Sequence, residues 1–200
     1  ARLVATMGRR FGPGIADPEF LDPGDVQPIL TWASELGRQR RHCCITTVMS
    51  NAARISREAS RVGLSLETIT FSCSGEPHTL AKRQLIEKAG ARIAPHYGPG
   101  GGNGTSLGCA NPQSIDEMHV PWSVFTLVEN RRSLAYGGAL IHPLMLTTLD
   151  RSAPRFLLNV ENGDYATLLK KNCGCPLEHA GFIQHLHTIR SSEKFTRESI

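Results

Sequence analysis

The sequence lacks the features of membrane-spanning and nucleic-acid-binding proteins. No apolar run approaches the ~20 residues that a helix needs to cross a bilayer. The net charge is only +4, and the Lys and Arg residues are scattered, without the basic cluster of a nucleic-acid-binding surface. Aromatic residues make up 6% of the chain. We therefore expect a cytoplasmic protein with neither a membrane nor a nucleic acid as partner.

The overall composition is that of a globular protein. The chain has 200 residues, of which 40% are hydrophobic and 20% charged, which excludes intrinsic disorder. This length fits one domain or two small lobes. Neither end shows a natural start or stop pattern, so we expect an excised piece of a larger chain.

Apolar segments and amphipathic helices alternate in the first half. The spacing of apolar residues predicts a helix over residues 25–37. Two more are expected, one from a Ser50 cap to residue 62 and one from Thr79 to residue 89. Buried strands are expected at 43–49, 69–73 and 92–96. Short links between them predict an α/β fold with a parallel sheet covered by helices. Ligands of such sheets bind at the carboxyl ends of the strands.

The second half has a β-rich pattern. Strands are expected at 120–129, 139–149, 156–160, 165–169 and 182–189. We therefore divide the chain into an α/β lobe at 1–105 and a β-rich lobe at 106–189.

The six cysteines fall into two groups of three. Cys43, Cys44 and Cys73 lie in apolar runs and are expected to be buried core thiols. Those in the other group lie among Gly, Asn, Pro and Lys, in expected loops: Cys109, Cys173 and Cys175. Together with His119 these loop thiols offer three sulfurs and one nitrogen, a suitable tetrahedral set for zinc. Three other histidines are rival fourth ligands: His179, His185 and His187.

A glycine run follows the third predicted strand. Residues 98–104 include five glycines, and such a loop can turn its amides toward a phosphate. It is neither a Walker loop nor a dinucleotide fingerprint, because Gly-Lys-Ser/Thr and a clear following helix are both missing. A flexible loop and a ligand-facing loop both remain open.

The order of several short motifs resembles the phenylacetate–coenzyme A ligase branch of the adenylate-forming enzymes. Ser74-Gly75-Glu76-Pro77 resembles the Gly-Gly-Glu-Pro segment, and Tyr97-Gly98 resembles the Tyr-Gly pair. Asn162-Gly163-Asp164 is similar to Thr-Gly-Asp, and Cys173-Gly174-Cys175-Pro176 to the Cys-x-Cys that follows it. Arg190 falls near the hinge arginine. The resemblance covers roughly residues 45–195.

The resemblance implies a nucleotide pocket. Gly75, Glu76 and Pro77, with Ser74 beside them, would line the adenine site, and Tyr97 would stack on the base. Asp164 would accept hydrogen bonds from both ribose hydroxyls. For three of these residues a structural role stays open: a turn aspartate for Asp164, a core aromatic for Tyr97 and a helix cap for Glu76. The predicted cofactor-binding residues are Ser74, Gly75, Glu76, Pro77, Tyr97, Gly98, Asp164 and Arg190.

The resemblance also implies the other ligands. The full-length parent would use ATP, magnesium, a carboxylic acid and coenzyme A, and residues 190–200 would be a hinge toward a missing C-terminal domain. Ligases of this branch carry a structural zinc on Cys, His and Cys-x-Cys, which favours a structural zinc on Cys109, His119, Cys173 and Cys175. Whether the chain forms a homodimer stays open.

Two departures from the family pattern stand out. Pro99, Gly100 and Gly101 replace the Ser/Thr-Glu that should follow Tyr-Gly, and residues 157–161 replace an Arg-rich stretch. We therefore expect no adenylation by this piece alone. The leading interpretation is a fragment of an acid–coenzyme A ligase relative. The alternatives are an acyl-protein synthetase relative and a zinc-stabilised, non-catalytic binding module.

Overall fold

A computed structural model describes residues 6, 10–12, 19–22, 24–98, 105–130, 134–136 and 139–191. Most of the glycine run, at 99–104, and the greater part of the expected hinge, at 192–200, lie outside these ranges. None of the helices within them is both long and apolar enough to cross a bilayer.

The first half alternates helices and parallel strands. Its elements are α1 (Gln27–Arg38), β1 (Cys43–Thr47), α2 (Met49–Arg61), β2 (Ile69–Cys73), α3 (Leu80–Lys88) and β3 (Arg92–Tyr97). Strands β1, β2 and β3 pair in this order and all run parallel. The predicted strand at 69–73 is confirmed at both ends.

The second half continues the same sheet with antiparallel strands. Its elements are β4 (Ser106–Gly108), β5 (Met118–His119), β6 (Phe125–Glu129), β7 (Leu134–Tyr136), β8 (Ala139–Ile141), β9 (Pro143–Thr148), β10 (Val160–Lys170), α4 (Pro176–His179) and β11 (Gln184–Ser191). Nine strands form one sheet in the order β1-β2-β3-β4-β5-β11-β10-β9-β6, while β7 and β8 pair separately. The mixed α/β class is therefore confirmed.

Two hydrophobic clusters pack along this sheet. One lies in the parallel half, where fully buried Phe71 and Ile69 of β2 meet Met49 and Ala52 of α2. The alanines of α2 bring the helix close to the strands because they carry no bulky side chain. The other cluster lies in the antiparallel half around Phe125. Each half thus has its own hydrophobic core, and the two halves share one sheet.

Several local predictions are wrong. Ser50 does not cap α2, because the helix begins at Met49 with Val48 as its N-cap. The expected strand at 156–160 is missing; β10 begins only at Val160, where it pairs with Leu146 of β9. Phe156 is 80% exposed, while Leu157 packs against the core of the antiparallel half without pairing as a strand residue.

Two further corrections concern strands and thiols. The expected strand at 139–149 is two strands, β8 and β9, and the one at 120–129 begins only at Phe125. Of the three thiols expected in the core, Cys73 is buried, Cys43 is half-buried and Cys44 is exposed. Successive strand residues point to opposite faces, so Cys43 and Cys44 cannot both face the same core.

Candidate functional site

A cavity of about 440 Å³ opens beside the carboxyl ends of β2 and β3. A volume of this size is within the usual range for a small-molecule site. Its wall includes every residue that the sequence predicted for cofactor binding, drawn from four separate segments: Ser74, Gly75, Glu76, Pro77, Tyr97, Gly98, Asp164 and Arg190. The sheet brings these segments together because β10 and β11 pair next to each other and reach β3 through β5 and β4.

Tyr97 and Asp164 form a hydrogen-bonded pair in this wall. The Tyr97 hydroxyl donates to Asp164 Oδ2 at 2.8 Å, and Asn162 Nδ2 donates to the Tyr97 hydroxyl at 2.7 Å and to Asp164 Oδ2 at 3.1 Å. Burial raises the pKa of Tyr97 well above its usual range, and the neighbouring Asp164 charge raises it further. The phenol therefore stays protonated and fixes the orientation of the Asp164 carboxylate.

Glu76 has a structural role within the same wall. Its carboxylate accepts hydrogen bonds from Ser50 N at 2.9 Å and Ser50 Oγ at 2.6 Å, and Lys82 Nζ lies 3.0 Å away. Burial alone would raise the pKa of Glu76, but the contacts with Ser50 and Lys82 bring it below its usual value. Glu76 thus joins the first turn of α2 to Lys82 of α3, but it does not cap α3, whose N-cap is Thr79.

Three ionisable residues in the cavity wall were missed by the sequence reasoning. His78 is 5% exposed and Asp116 is 4% exposed, and His96 Nδ1 lies 3.0 Å from Ser72 Oγ. Burial lowers the pKa of both histidines. Asp116 accepts backbone hydrogen bonds at the positive-φ residue Thr188 and at Ile189, which shapes β11 where it borders the cavity. No local motif marks these residues.

The second candidate site is a cluster of three thiols and one imidazole. Ligand atoms of Cys109, His119, Cys173 and Cys175 all lie within 4.8 Å of one another. Strand pairing produces this cluster, because His119 of β5 pairs with Leu107 of β4 on one side and with β11 on the other. The hairpin of β10 and β11 places the Cys-x-Cys turn beside them.

The local chemistry of this cluster suits a metal ion. His119 Nδ1 lies 2.6 Å from the Phe182 carbonyl oxygen, to which it can donate, so that Nε2 keeps its lone pair. Nε2 lies 3.1 Å from Cys175 Sγ and 3.7 Å from Cys173 Sγ. A second hydrogen bond that fixes the imidazole tautomer is typical of metal-binding histidines. The cluster therefore fits a four-coordinate zinc ion.

The conformation of the Cys-x-Cys turn is fixed by a glycine with positive φ and by a carboxylate that accepts its amides. Gly174 has a φ of +72°, which glycine adopts without strain, and the amides of Cys173 and Gly174 donate to the Glu178 carboxylate. Burial opposes ionisation of Cys175, but hydrogen bonds from nearby backbone amides and Cys173 lower its pKa to about 6. Burial raises the pKa of Cys109 to about 12. A bound metal ion would deprotonate each of these thiols.

The three other histidines that were weighed as the fourth ligand lie in different places. His179 is exposed, and His187 Nδ1 lies 2.8 Å from Thr188 Oγ1; neither belongs to a possible metal-binding group within the described part of the chain. His185 lies in a second such group, with Cys109 and Glu117. The predicted fourth ligand, His119, thus lies in the cluster and His179 does not.

Two solved structures are similar to this chain in fold. Both are crystal structures of 2-hydroxyisobutyryl-CoA ligase. The first, an open conformation in complex with 2-HIB-AMP and CoA, has a TM-score of 0.62 and 15% identity, over 94% of this chain and 41% of that one. The second, a postadenylation state in complex with R3-HIB-AMP, has a TM-score of 0.59 and 16% identity, over 91% and 38%.

This likeness concerns the fold, and the chain spans about two fifths of the length of these ligases. No protein-family model and no curated protein matches the sequence. The fold of this chain thus agrees with that of part of these ligases, while membership of the adenylate-forming enzymes and of their phenylacetate branch stays a prediction. The chain has the fold of part of an acyl-CoA ligase.

Proposed function

We propose that this chain forms the adenine and ribose side of the nucleotide pocket in an ATP-dependent carboxylic acid–coenzyme A ligase, close to the phenylacetate–coenzyme A ligase branch. One observation carries the proposal: the eight predicted cofactor-binding residues, from four distant segments, line a single cavity. The fold of two acyl-CoA ligase structures supports the same kind of function.

In this proposal Asp164 binds the ribose. An ionised carboxylate accepts hydrogen bonds only, and both ribose hydroxyls are donors. Tyr97 and Asn162 orient the carboxylate through the 2.8 and 3.1 Å contacts. The segment from Ser74 to Pro77 would form one wall of the adenine site. Glu76 fixes this segment to α2.

The remaining chemistry belongs to the full-length parent. Attack of an acid on the α-phosphate of ATP depends on positioning and charge neutralisation. This chain has Pro99, Gly100 and Gly101 where the resemblance implies a hydroxyl and a magnesium-binding carboxylate. Phosphate and magnesium contacts, and the coenzyme A step, would therefore rely on other parts of the parent, with a phosphate loop before this chain and a C-terminal domain beyond the hinge at 190–200.

We further propose that Cys109, His119, Cys173 and Cys175 hold one structural zinc ion. Four protein ligands close a tetrahedral zinc site and leave no position for a reacting water. The ion would fix the Cys-x-Cys turn that follows β10 against β4 and β5. Its role would be to stabilise the antiparallel half, including the strand that carries Asp164.

A second candidate function is a zinc-stabilised binding module without catalysis. The missing Ser/Thr-Glu after Tyr97-Gly98 favours it. Such a module would keep the zinc site but would not need an adenine nucleotide. An acyl-protein synthetase relative would share the nucleotide pocket and act on a long-chain acyl group.

Calorimetry with ATP and with a non-hydrolysable acyl-adenylate mimic tests the leading proposal. The wild type should bind the mimic, and Asp164→Ala should weaken binding by about 1–3 kcal/mol because charged hydrogen bonds are lost. Asp150→Ala removes an aspartate outside the cavity wall and should leave binding unchanged. Binding that is indifferent to Asp164 contradicts the site, and zinc without nucleotide binding supports the module.

A further inference from the structure

Two buried or half-buried histidines in the cavity wall have no part in the proposed ribose contact. His78 is 5% exposed and comes directly after Pro77, the last residue of the segment proposed for the adenine site. His96 comes directly before Tyr97, which would stack on the base. Both histidines line the cavity. Each of the two segments that would hold the base therefore also brings an imidazole to the cavity wall.

His78 has an incomplete set of hydrogen bonds. Its Nδ1 is buried and has no hydrogen-bond partner among the described residues, although native structures seldom leave a buried polar atom unpaired. Burial lowers the pKa of His78 and outweighs the opposite effects of the Asp116 charge and the Cys73 backbone. The imidazole is therefore neutral at neutral pH, with one N–H and one lone pair.

The protein groups around His78 suit its N–H and not its lone pair. The Asp116 carboxylate and the Cys73 backbone both raise the pKa of the imidazole, as groups that attract its proton do. Asp116 is 4% exposed and lines the same cavity. Arg83, a cation nearby, directs its guanidinium to Glu87 and to a backbone carbonyl. The lone pair of His78 is thus left for a hydrogen-bond donor on a ligand.

His96 offers the complementary function. Its Nδ1 lies 3.0 Å from Ser72 Oγ, from which it can accept a hydrogen bond, and burial lowers its pKa. A neutral imidazole that accepts at Nδ1 carries its proton on Nε2, so Nε2–H can donate to a ligand. The cavity wall therefore holds one imidazole that accepts and one that donates.

We propose that His78 and His96 recognise the edge of the bound purine and select adenine over purines that carry a keto oxygen, an inference that rests on the proposed nucleotide pocket. The Watson–Crick edge of adenine presents a donor, its amino group, beside an acceptor, N1. His78 accepts from the amino group, and His96 donates to N1. Hypoxanthine and guanine present an oxygen beside an N–H, so each imidazole would meet a group of its own kind. A site built to bond a polar group rejects an analogue that lacks it, because its buried polar atoms are left unpaired.

Calorimetry with the acyl-adenylate mimic and its inosine counterpart tests this selection. The wild type should prefer the adenine mimic by about 100-fold or more. His78→Phe keeps a planar ring without a lone pair and should lose about tenfold or more of this preference, because binding of the adenine mimic weakens while that of the inosine mimic changes little. The matched control is His42→Phe, at an exposed histidine outside the cavity wall, which should keep the full preference.

Two further comparisons separate recognition of the base from a structural role of the ring. His78→Gln keeps an acceptor, its amide oxygen, and should recover part of the preference that His78→Phe loses. A mimic whose purine carries hydrogen in place of the amino group should bind the wild type about tenfold less tightly than the adenine mimic. His78→Phe should bind these two mimics equally, since it has no acceptor for the amino group.

Two results would overturn the selection while leaving the nucleotide pocket intact. One is equal binding of the adenine and inosine mimics by the wild type. The other is a folded His78→Phe that keeps the full preference. Should His78→Phe fail to fold, the unsubstituted purine decides in the wild type, where binding as tight as that of the adenine mimic would contradict the assignment. A wild type that binds none of the mimics would instead overturn the nucleotide pocket and this inference together.

Discussion

Removal of the proposed zinc ion should destabilise the antiparallel half of the sheet. The cluster joins residues near β4 and β5 to the turn after β10, across a loop of ~60 residues, and a cross-link of that span contributes about 4 kcal/mol by chain entropy. Whole domains of this kind are stable by only ~5–15 kcal/mol. Loss of the link should therefore consume a large part of the stability.

Thermal unfolding and hydrogen exchange would measure this effect at neutral pH. A strong chelator should lower the unfolding temperature, since metal-binding free energy contributes to folding. Amide protection should fall most in β4, β5, β10 and β11, and least in β1 and β2. Cys175→Ser should reproduce the effect without chelator, while Cys44→Ser, at an exposed thiol outside the cluster, should not. Unchanged protection in these four strands after complete metal removal would refute the reasoning.

Three substitutions test other parts of the structure. The folded-state pKa of Glu76 lies below its unfolded value, about 4.3, so its contribution is present above that pH and is lost as the pH falls through the folded-state value. Glu76→Gln should thus cost about 1 kcal/mol in urea unfolding at pH 7 and less as the pH falls through the folded-state pKa; a cost that does not change with pH would contradict this. Gly108→Ala would place a Cβ 2.8 Å from Pro95 Cδ and should cost about 1–3 kcal/mol, whereas Gly37→Ala, with no atom within 4 Å, should not destabilise. Tyr97→Phe should lower the free energy of unfolding by about 1.5–3 kcal/mol, since a hydrogen bond to a carboxylate is lost; an unchanged value would show that the contact has no net effect.

The parallel half of the fold could be predicted because its signals are local. Apolar spacing located α1, and the apolar run at Ile69–Cys73 located β2. The antiparallel half depends on pairing between distant segments. The start of β10 at Val160 is set by its register with β9, which no pattern within residues 156–160 reveals.

The candidate sites likewise combine features that local sequence reveals with features that depend on the pairing of distant segments. The position of three cysteines among Gly, Asn, Pro and Lys indicated that their thiols would lie together, as they do in the cluster with His119. The choice of His119 over its rivals, however, depends on the pairing of β5 with β4 and β11. His78 and Asp116 could not be predicted, because their place in the cavity wall follows from the packing of separate segments.

A crystal structure of this chain with the acyl-adenylate mimic tests the central claim most directly. The claim predicts the adenine ring between residues 74–77 and Tyr97, with the ribose hydroxyls within hydrogen-bond distance of Asp164. A mimic bound elsewhere, or one that leaves this cavity empty at saturating concentration, would contradict it.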